Sequence, residues 1–132
     1  MKTKFQIGAA IPSRKFVATN VSLFLYNAAV WNAHRIHYDE RYTVDVEKHT
    51  AIIVDGPLQG DWLTQIAIDW MGENGVLKEF EYTNRVASFV DEPLEGGGTI
   101  IESTDSIVRL RLFLKNQKGQ ITTPGSASFD LI

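Results

Sequence analysis

PLQGDWLTQIAIDWM, residues 57–71, is the stretch that decides the fold. Its apolar side chains recur every three or four residues, which predicts a helix with one apolar face. Gly56 and Pro57 mark the start, because proline suits the first helical position and glycine tolerates a close turn before it. Gly72 and the pair Asn74-Gly75 mark the end. The side chains predicted to be buried are Leu58, Trp62, Leu63, Ile66, Ala67, Ile68 and Trp70.

A second helix is predicted upstream, from Val21 to Trp31, with Thr19 or Asn20 as its N-cap. Its apolar residues also follow a helical spacing, which predicts one buried face. The three tryptophans are expected in the core rather than as surfaces for ligand stacking. The predicted buried face consists of Val21, Phe24, Leu25, Ala28 and Trp31.

The rest of the chain favours strands and turns. The sequence from Val108 to Leu112 alternates strictly between apolar and charged residues, and Asn116–Gly119 is typical of a hairpin turn. Gly96–Gly98 is expected to be a loop or a bulge, residues 39–48 a loop with short helical turns, and residues 1–13 an irregular segment. Strands are predicted at Lys15–Ala18, Leu77–Val90, Thr99–Glu102, Ile107–Leu114 and Ile121–Leu131, and a strand or extended segment at Ala51–Val54.

These elements predict an α+β domain in which a curved antiparallel sheet wraps around one central helix, with residues 1–132 forming a single domain. The chain has 132 residues, 44% of them apolar, enough for a packed core. It lacks an apolar run of the roughly 18 residues that span a membrane, so we expect a cytoplasmic protein that does not bind membranes. The absence of cysteine excludes disulfides and thiolate chemistry, and the net charge of -3 gives no general attraction for nucleic acid.

Polar side chains are concentrated between the two predicted helices. His34 and His37 lie three residues apart, beside Asn32 and Asp39. Histidine can take and return a proton near neutral pH, which favours general acid–base chemistry. The alternative is structural: His-x-x-His is also typical of a polar helix end, and Asn32 of a helix C-cap. A metal site is not predicted, because two imidazoles without a third ligand form an incomplete shell.

Two segments resemble the MaoC-like group of hydratases and dehydratases, which have the hot-dog fold. The group's signature, Asp-x-Asn-Pro-Leu-His followed by an acidic residue, aligns with residues 32–37 and with Asp39. Its second element, an apolar run followed by His-Gly and an apolar helix, resembles IIVDGPL at residues 52–58. This chain differs at two places, since Asn32 stands where the group has Asp and Asp55 where it often has His. The resemblance implies reversible addition of water to 2-enoyl-CoA, giving 3-hydroxyacyl-CoA.

That reaction needs a base for the water, a proton for the α-carbon and a donor for the enolate oxygen. We expect His37 to be the base and the backbone N–H of Gly56, at the positive end of the central helix, to be the donor. Asn32 can orient a water molecule but cannot accept its proton. Either His37 carries the proton through both half-steps, or a nearby carboxylate replaces the missing acid. Asp39 and Asp55 are the candidates for that carboxylate, ranked lower because a helix cap and a helix N-terminal charge are their expected roles.

The remaining site predictions concern residues beside these. Pro57 and Leu58 are expected, together with Asp55, to form the substrate side of the oxyanion site, and His34 to support His37. The resemblance implies coenzyme A as part of the substrate, no separate cofactor, and a tunnel between two protomers of a homodimer or heteromer. Two other functions stay open: a non-catalytic hot-dog subunit that completes a partner's tunnel, and an acyl-CoA thioesterase. A thioesterase would need a carboxylate on the central helix, where Asp61 and Asp69 are the candidates.

Overall fold

The computed structural model describes residues 5–132, in which a central helix lies against a five-stranded antiparallel sheet. The strand order is β1-β3-β4-β5-β2, and the long helix contacts all five strands. The predicted α+β class is therefore confirmed, whereas the extent of the domain stays a prediction. The elements are β1 Ala10–Phe16, α1 Asn20–Val30, α2 Glu40–Asp45, α3 Gly56–Met71, β2 Gly75–Tyr82, β3 Leu94–Ser103, β4 Ile107–Lys115 and β5 Ile121–Leu131, with 3-10 turns at Arg35–His37 and Gly72–Asn74.

The central helix α3 begins and ends within one residue of its predicted bounds. Its buried face is shifted relative to the prediction, because Trp62 and Trp70 are half-buried and Ile68 is exposed. Trp62 stacks on Phe16 with ring centroids 5.1 Å apart, at the margin of the core. The side chains and glycine that α3 buries against the sheet are Gln59, Gly60, Leu63, Ile66, Ala67 and Met71.

The three glycines Gly96–Gly98 lie within strand β3, so the prediction of a loop is wrong. The bulge alternative is right in part, because the register between β1 and β3 shifts between Ile11 and Arg14, which pair with Gly98 and Gly96. A Cβ atom added at Gly96 would lie 2.5 Å from Ile66 Cδ1 and 2.9 Å from Phe16 Cε2. Carbon atoms need roughly 3.5–4.0 Å. Glycine therefore fills this part of the strand because α3 passes directly over it, not because the chain turns there.

The other strand predictions were right in part. Strands β4 and β5 and the turn between them are confirmed, with Gly119 at φ 81° in the turn. Strand β1 begins at Ala10 rather than Lys15. The irregular segment predicted for residues 1–13 is therefore wrong from Ala10 onward, and residues 1–4 of that segment lie outside the described part of the chain. Strand β2 ends at Tyr82 rather than Val90. Residues 83–93 instead form a loop that pairs with residues 52–54 through the bridge between Ile53 and Phe89.

Helix α1 has the predicted N-cap, with Thr19 and Ser22 forming a capping box. The predicted buried face is wrong: Phe24 is 62% exposed and Trp31 is 93% exposed. Trp31 is thus not a core residue. The helix instead buries Leu23 and the amide of Asn27, because its inner side meets the small cluster formed by Ala18, Leu23, Ile52 and Val54.

Within residues 5–132, no helix is both long enough and apolar enough to cross a bilayer. The cytoplasmic location stays a prediction.

Candidate active site

The turn after α1 brings the polar residues of 31–39 against the N-terminus of α3. Trp31 adopts the left-handed conformation at φ 57° and is the C-cap of α1. Asn32 follows it, donating its backbone N–H to the Asn27 carbonyl oxygen at 3.0 Å. The interpretation of Asn32 as a C-cap is therefore wrong. The 3-10 turn Arg35–His37 then carries the His37 ring toward residues 53–55.

His37 is 9% exposed and its ring is fixed at one nitrogen. Nδ1 lies 2.7 Å from the carbonyl oxygen of Ile53. A carbonyl oxygen only accepts hydrogen bonds, so Nδ1 must carry the proton and Nε2 holds the lone pair in the neutral ring. The backbone N–H of Ile53 donates in turn to the Ile36 carbonyl at 3.0 Å, which ties the two segments together. His37 is thus held in the tautomer that suits a base at Nε2.

His37 and Gly56 line the same cleft, which has a volume of about 310 Å³. Gly56 begins α3, and the first-turn amides of a helix have no acceptor within the helix. The side chain of Asn84 covers this tip so closely that a Cβ at Gly56 would collide with its amide nitrogen. A developing negative charge is favoured here by the helix dipole and by the backbone N–H. The other residues lining the cleft are Ile53, Val54, Gln59, Asn84, Arg85, Val86 and Ala87.

Asp55 is completely buried and lies beside the Nδ1 edge of the His37 ring. Its Oδ1 lies 3.0 Å from Asn27 Nδ2 and 3.5 Å from His37 Nδ1. Its Oδ2 lies 3.2 Å from Asn32 Nδ2. Asp55 occupies the N-cap position of α3, but its side chain caps no backbone N–H. The structure therefore places the Asp55 carboxylate in the polar cluster and not in a capping role.

Asp39 has the capping role that was expected of it. Its Oδ1 accepts from the backbone N–H of Tyr42 at 3.0 Å, and its Oδ2 pairs with Arg35 at 2.8 Å. The hydrogen bond from Tyr42, followed by that from Arg35, lowers the pKa of the Asp39 carboxyl. Asp39 is thus part of the support of α2, and it does not line the cleft.

The other predicted residues lie farther from the cleft. Asn32 faces Asp55 through its amide, while its Oδ1 accepts from the backbone N–H of His34 at 3.0 Å. His34 is exposed, with its ring centroid 5.9 Å from that of His37. Leu58 packs on the small cluster behind α1, and Pro57 is exposed. Neither Pro57 nor Leu58 is among the residues that line the cleft.

Sequence reasoning missed two buried amides. Asn27 donates through Nδ2 to Asp55 and to the Leu23 carbonyl, while its buried Oδ1 has no hydrogen-bond partner within residues 5–132. Gln59 accepts at Oε1 from Thr123 at 2.7 Å and donates at Nε2 to Val54. A polar side chain inside a helix that packs on a core was the available signal, since buried polar groups need specific partners.

A second hollow of about 390 Å³ is lined in part by the buried amide of Asn27. It is mostly apolar and open to the exposed side of α1. Asn27 and Asn32 are its polar lining residues, and both donate hydrogen bonds to Asp55. The apolar residues that line it are Phe24, Ala28, Trp31, Ala33 and Tyr38.

The ionisable side chains around α1 and α3 that lie outside the cleft are Tyr26, Asp61 and Asp69. The pKa of Tyr26 is raised to about 12, chiefly by burial and then by the charges of Asp61 and Asp55. Asp69 forms an ion pair with Arg14 at 2.6 Å, and neither Asp61 nor Asp69 lines the cleft. Among residues 5–132, no group of three or more His, Asp or Glu side chains is placed to hold a metal ion.

Comparison with known proteins identifies the family. Residues 2–90 match the family model for hydroxyacyl-thioester dehydratase type 2. This chain belongs to that family. The mitochondrial hydroxyacyl-thioester dehydratase type 2 of Schizosaccharomyces pombe is 29% identical over 82 residues, which are 60% of this chain and 27% of the relative. Mesaconyl-C(4)-CoA hydratase of Chloroflexus aurantiacus is 42% identical over 45 residues, 34% of this chain and 16% of that protein. The chain thus spans about a quarter or less of these relatives.

Solved structures establish the hot-dog fold. The (R)-hydratase from A. caviae involved in PHA biosynthesis superposes with a TM-score of 0.88 over 98% of both chains, at 14% identity. A chain of the ChsH1-ChsH2 complex from Mycobacterium tuberculosis gives 0.86 over 96% of this chain and 98% of that one, at 15% identity. With the family match, they confirm the predicted resemblance to hot-dog hydratases and dehydratases.

Proposed function

We propose that this member of the dehydratase family is a hydratase/dehydratase of acyl-CoA thioesters, which interconverts 2-enoyl-CoA and 3-hydroxyacyl-CoA. One observation carries the proposal: a histidine whose lone-pair nitrogen is Nε2 lines the same cleft as the N-terminal tip of the central helix. Family membership supports the same reaction class. The names of both curated relatives describe the addition or removal of water on thioesters.

In the hydration direction, His37 Nε2 accepts a proton from water as the water oxygen bonds to C3 of the enoyl group. The electron pair of the double bond moves toward the thioester carbonyl, and the enolate oxygen accepts a hydrogen bond from the Gly56 N–H. The enolate then collapses as C2 takes the proton back from His37. No atom is gained or lost beyond the added water, and His37 ends in its starting state. This is the route in which one imidazole serves both half-steps.

The proposal includes a thioester carried on coenzyme A, and one side chain of the cleft supports it. Arg85 lines it and supplies a cationic side chain for phosphate, whereas Lys78 and Arg109 form ion pairs with Asp130 and Glu102. We also propose a second hot-dog chain, identical or related, as partner. The exposed apolar side of α1 is a surface that such a chain would cover, and ChsH1-ChsH2 is a complex of two chains. A non-catalytic hot-dog subunit remains the alternative function, because such a subunit would also need a second chain to cover the exposed apolar side of α1.

The thioesterase alternative has less support. It needs a carboxylate of the central helix aimed at the substrate carbonyl, but Asp69 is paired with Arg14 at the surface. Asp61 is exposed, and its charge helps to raise the pKa of Tyr26. We therefore favour water addition over thioester hydrolysis.

The test measures turnover of the purified chain with crotonyl-CoA and longer enoyl-CoA esters, as loss of the conjugated thioester absorbance. We expect His37→Ala to lower kcat on the order of 10²- to 10⁴-fold, the usual contribution of a general base. His49→Ala, a histidine outside the cleft, is the matched control and should keep wild-type turnover. Equal turnover of His37→Ala and wild type would contradict the proposed base. Release of free thiol would favour the thioesterase, and a folded chain inactive alone would favour the subunit.

A further inference from the structure

The proposed proton transfers through His37 assign no role to the buried carboxylate of Asp55. Among the described residues, Asp55 is a carboxylate with a fully buried side chain, and the basic side chain near it is that of His37, whose Nδ1 lies 3.5 Å from Asp55 Oδ1. Burying a carboxylate is unfavourable unless hydrogen bonds and an opposite charge compensate it. The fold does not require the charge for helix capping, since the Asp55 side chain caps no N–H. A neutral asparagine of the same shape would fill the space equally well.

The contacts around Asp55 form a built site for a carboxylate. Asn27 is itself 4% exposed and donates to Oδ1 at 3.0 Å. Asn32 donates to Oδ2 at 3.2 Å, and its own oxygen is occupied by the backbone N–H of His34. Each carboxylate oxygen therefore has one amide donor, and the carboxylate is fixed beside the Nδ1 edge of the His37 ring. An acceptor-only group is what two converging N–H donors need.

We propose that Asp55 is the buried counter-ion of His37, a positioning residue that stabilises the imidazolium formed when Nε2 takes the proton of water. This inference rests on the proposed function and adds to it the second ionisable group that the reaction uses. Asp55 touches no substrate, because it is fully buried. It acts on the ring across the 3.5 Å between Oδ1 and Nδ1.

The geometry indicates that Asp55 acts through its charge. The Nδ1–H of His37 already donates to the Ile53 carbonyl at 2.7 Å, so the tautomer is set by the backbone and not by the carboxylate. When the ring is protonated its positive charge is shared by both nitrogens, and the Asp55 carboxylate oxygen Oδ1 lies 3.5 Å from one of them, Nδ1. Unlike charges at this distance attract strongly in a buried site, where water screens them little.

The same geometry explains the amide at position 32. If Asn32 were also an aspartate, two carboxylates would face each other across 3.2 Å, where like charges repel. An amide at position 32 can donate a hydrogen bond to an acid at position 55, and an amide at position 55 could donate to an acid at position 32 in the same way. Asn32 is therefore the donor that an acid at 55 requires.

The experiment compares wild type, Asp55→Asn and the exchanged double variant Asn32→Asp/Asp55→Asn. We expect Asp55→Asn to lower kcat on the order of a hundredfold while KM stays within about threefold, since the lost effect arises only as charge develops. The double variant restores the pair of one acid and one amide. It should fold as wild type and regain about tenfold in kcat over Asp55→Asn, because the carboxylate stays in the cluster. If Asp55→Asn does not fold, the double variant is compared with wild type alone. A folded double variant with a kcat near zero would then overturn the proposal.

A second readout separates this inference from the hydratase proposal. The ring ¹⁵N resonances of His37, measured by NMR, should move in Asp55→Asn, while those of His49 stay unchanged as an internal reference. Unmoved His37 resonances would overturn the counter-ion role whatever the turnover. Moved resonances with an unchanged kcat would overturn it as well. Moved resonances in a chain that hydrates no enoyl thioester would refute the proposed function and leave the coupled pair standing.

Discussion

Alanine at position 96 should destabilise the fold through one identifiable side chain. The added Cβ would lie 2.5 Å from Ile66 Cδ1, which must therefore retreat by about 1 Å to reach a normal carbon–carbon distance. Ile66, Phe16 and Leu114, which surround the new methyl group, are all buried and have little room to move. Overpacking of this kind typically costs about 1–3 kcal/mol. Alanine also recovers about 0.5–1 kcal/mol of backbone entropy, so we expect a net loss of about 1–2 kcal/mol.

Ile66→Val removes the atom that causes the closest clash. Alone it should cost about 1 kcal/mol, the usual value for one lost buried methyl group. In Gly96→Ala/Ile66→Val, the new methyl group occupies space that Cδ1 has left. The double variant should therefore be no less stable than Gly96→Ala alone, which corresponds to a coupling of about 1 kcal/mol.

Urea unfolding of the four proteins, followed by circular dichroism, gives this coupling as a double-mutant cycle. Gly98→Ala is the matched control, because its Cβ would lie 2.5 Å from the backbone oxygen of Arg111, which Ile66→Val cannot displace. We expect the effects of Gly98→Ala and Ile66→Val to add. Additivity at position 96, or equal coupling at 96 and 98, would refute the reasoning that α3 dictates glycine in β3.

Two further predictions concern α1. Tyr26 has its pKa raised to about 12, so between pH 10 and 12 the unfolded chain loses the phenol proton while the folded chain keeps it, and stability falls as pH rises. Each pKa unit corresponds to about 1.4 kcal/mol of unfolding free energy. Solvent around the half-buried ring screens the interaction, so Tyr26→Phe should lose only about 1 kcal/mol less stability than wild type between pH 10 and 12. Equal losses of unfolding free energy in wild type and Tyr26→Phe, measured by urea titration at both pH values, would contradict this prediction. Thr19→Ala should cost about 1 kcal/mol by removing the acceptor of the Ser22 N–H, which lies 3.1 Å from Thr19 Oγ1. Thr19→Ser keeps that acceptor, so thermal melts in which serine and alanine lose equal stability would contradict the capping role.

Local patterns predicted those elements whose packing is also local. The 3.6-residue period of α3 and the two-residue period of β4 are properties of consecutive residues, and both elements were located correctly. The period of α1 likewise located the helix, but it could not tell which side faces the protein. That side is decided by the cluster of Ala18, Ile52 and Val54, which meets Leu23 from distant parts of the chain.

The loop alternative for Gly96–Gly98 was wrong for a related reason. Glycine favours turns when only the backbone is considered, because it tolerates conformations that other residues avoid. None of the three has a positive φ here, so conformational freedom is not why they are glycines. At Gly96 the reason is the space that α3 needs above the strand, whereas a Cβ at Gly97 would meet the Phe113 ring and one at Gly98 the backbone oxygen of Arg111. These requirements are visible only once the helix and the strands are packed together.

In the candidate site, too, the contact that matters joins residues that are distant in the chain. Compared along the sequence with the signature of the MaoC-like group that it resembles, the chain differs at two separate positions, with an amide at Asn32 in place of an acid and an acid at Asp55 in place of a histidine. In the fold their side chains are 3.2 Å apart, although 23 residues separate them in the chain. One carboxylate is still present beside His37; it is supplied from the other segment, and an amide now stands at position 32 to hold it. Residue types judged one position at a time therefore understate what this site retains, because the chemistry depends on which groups meet and not on which segment carries them.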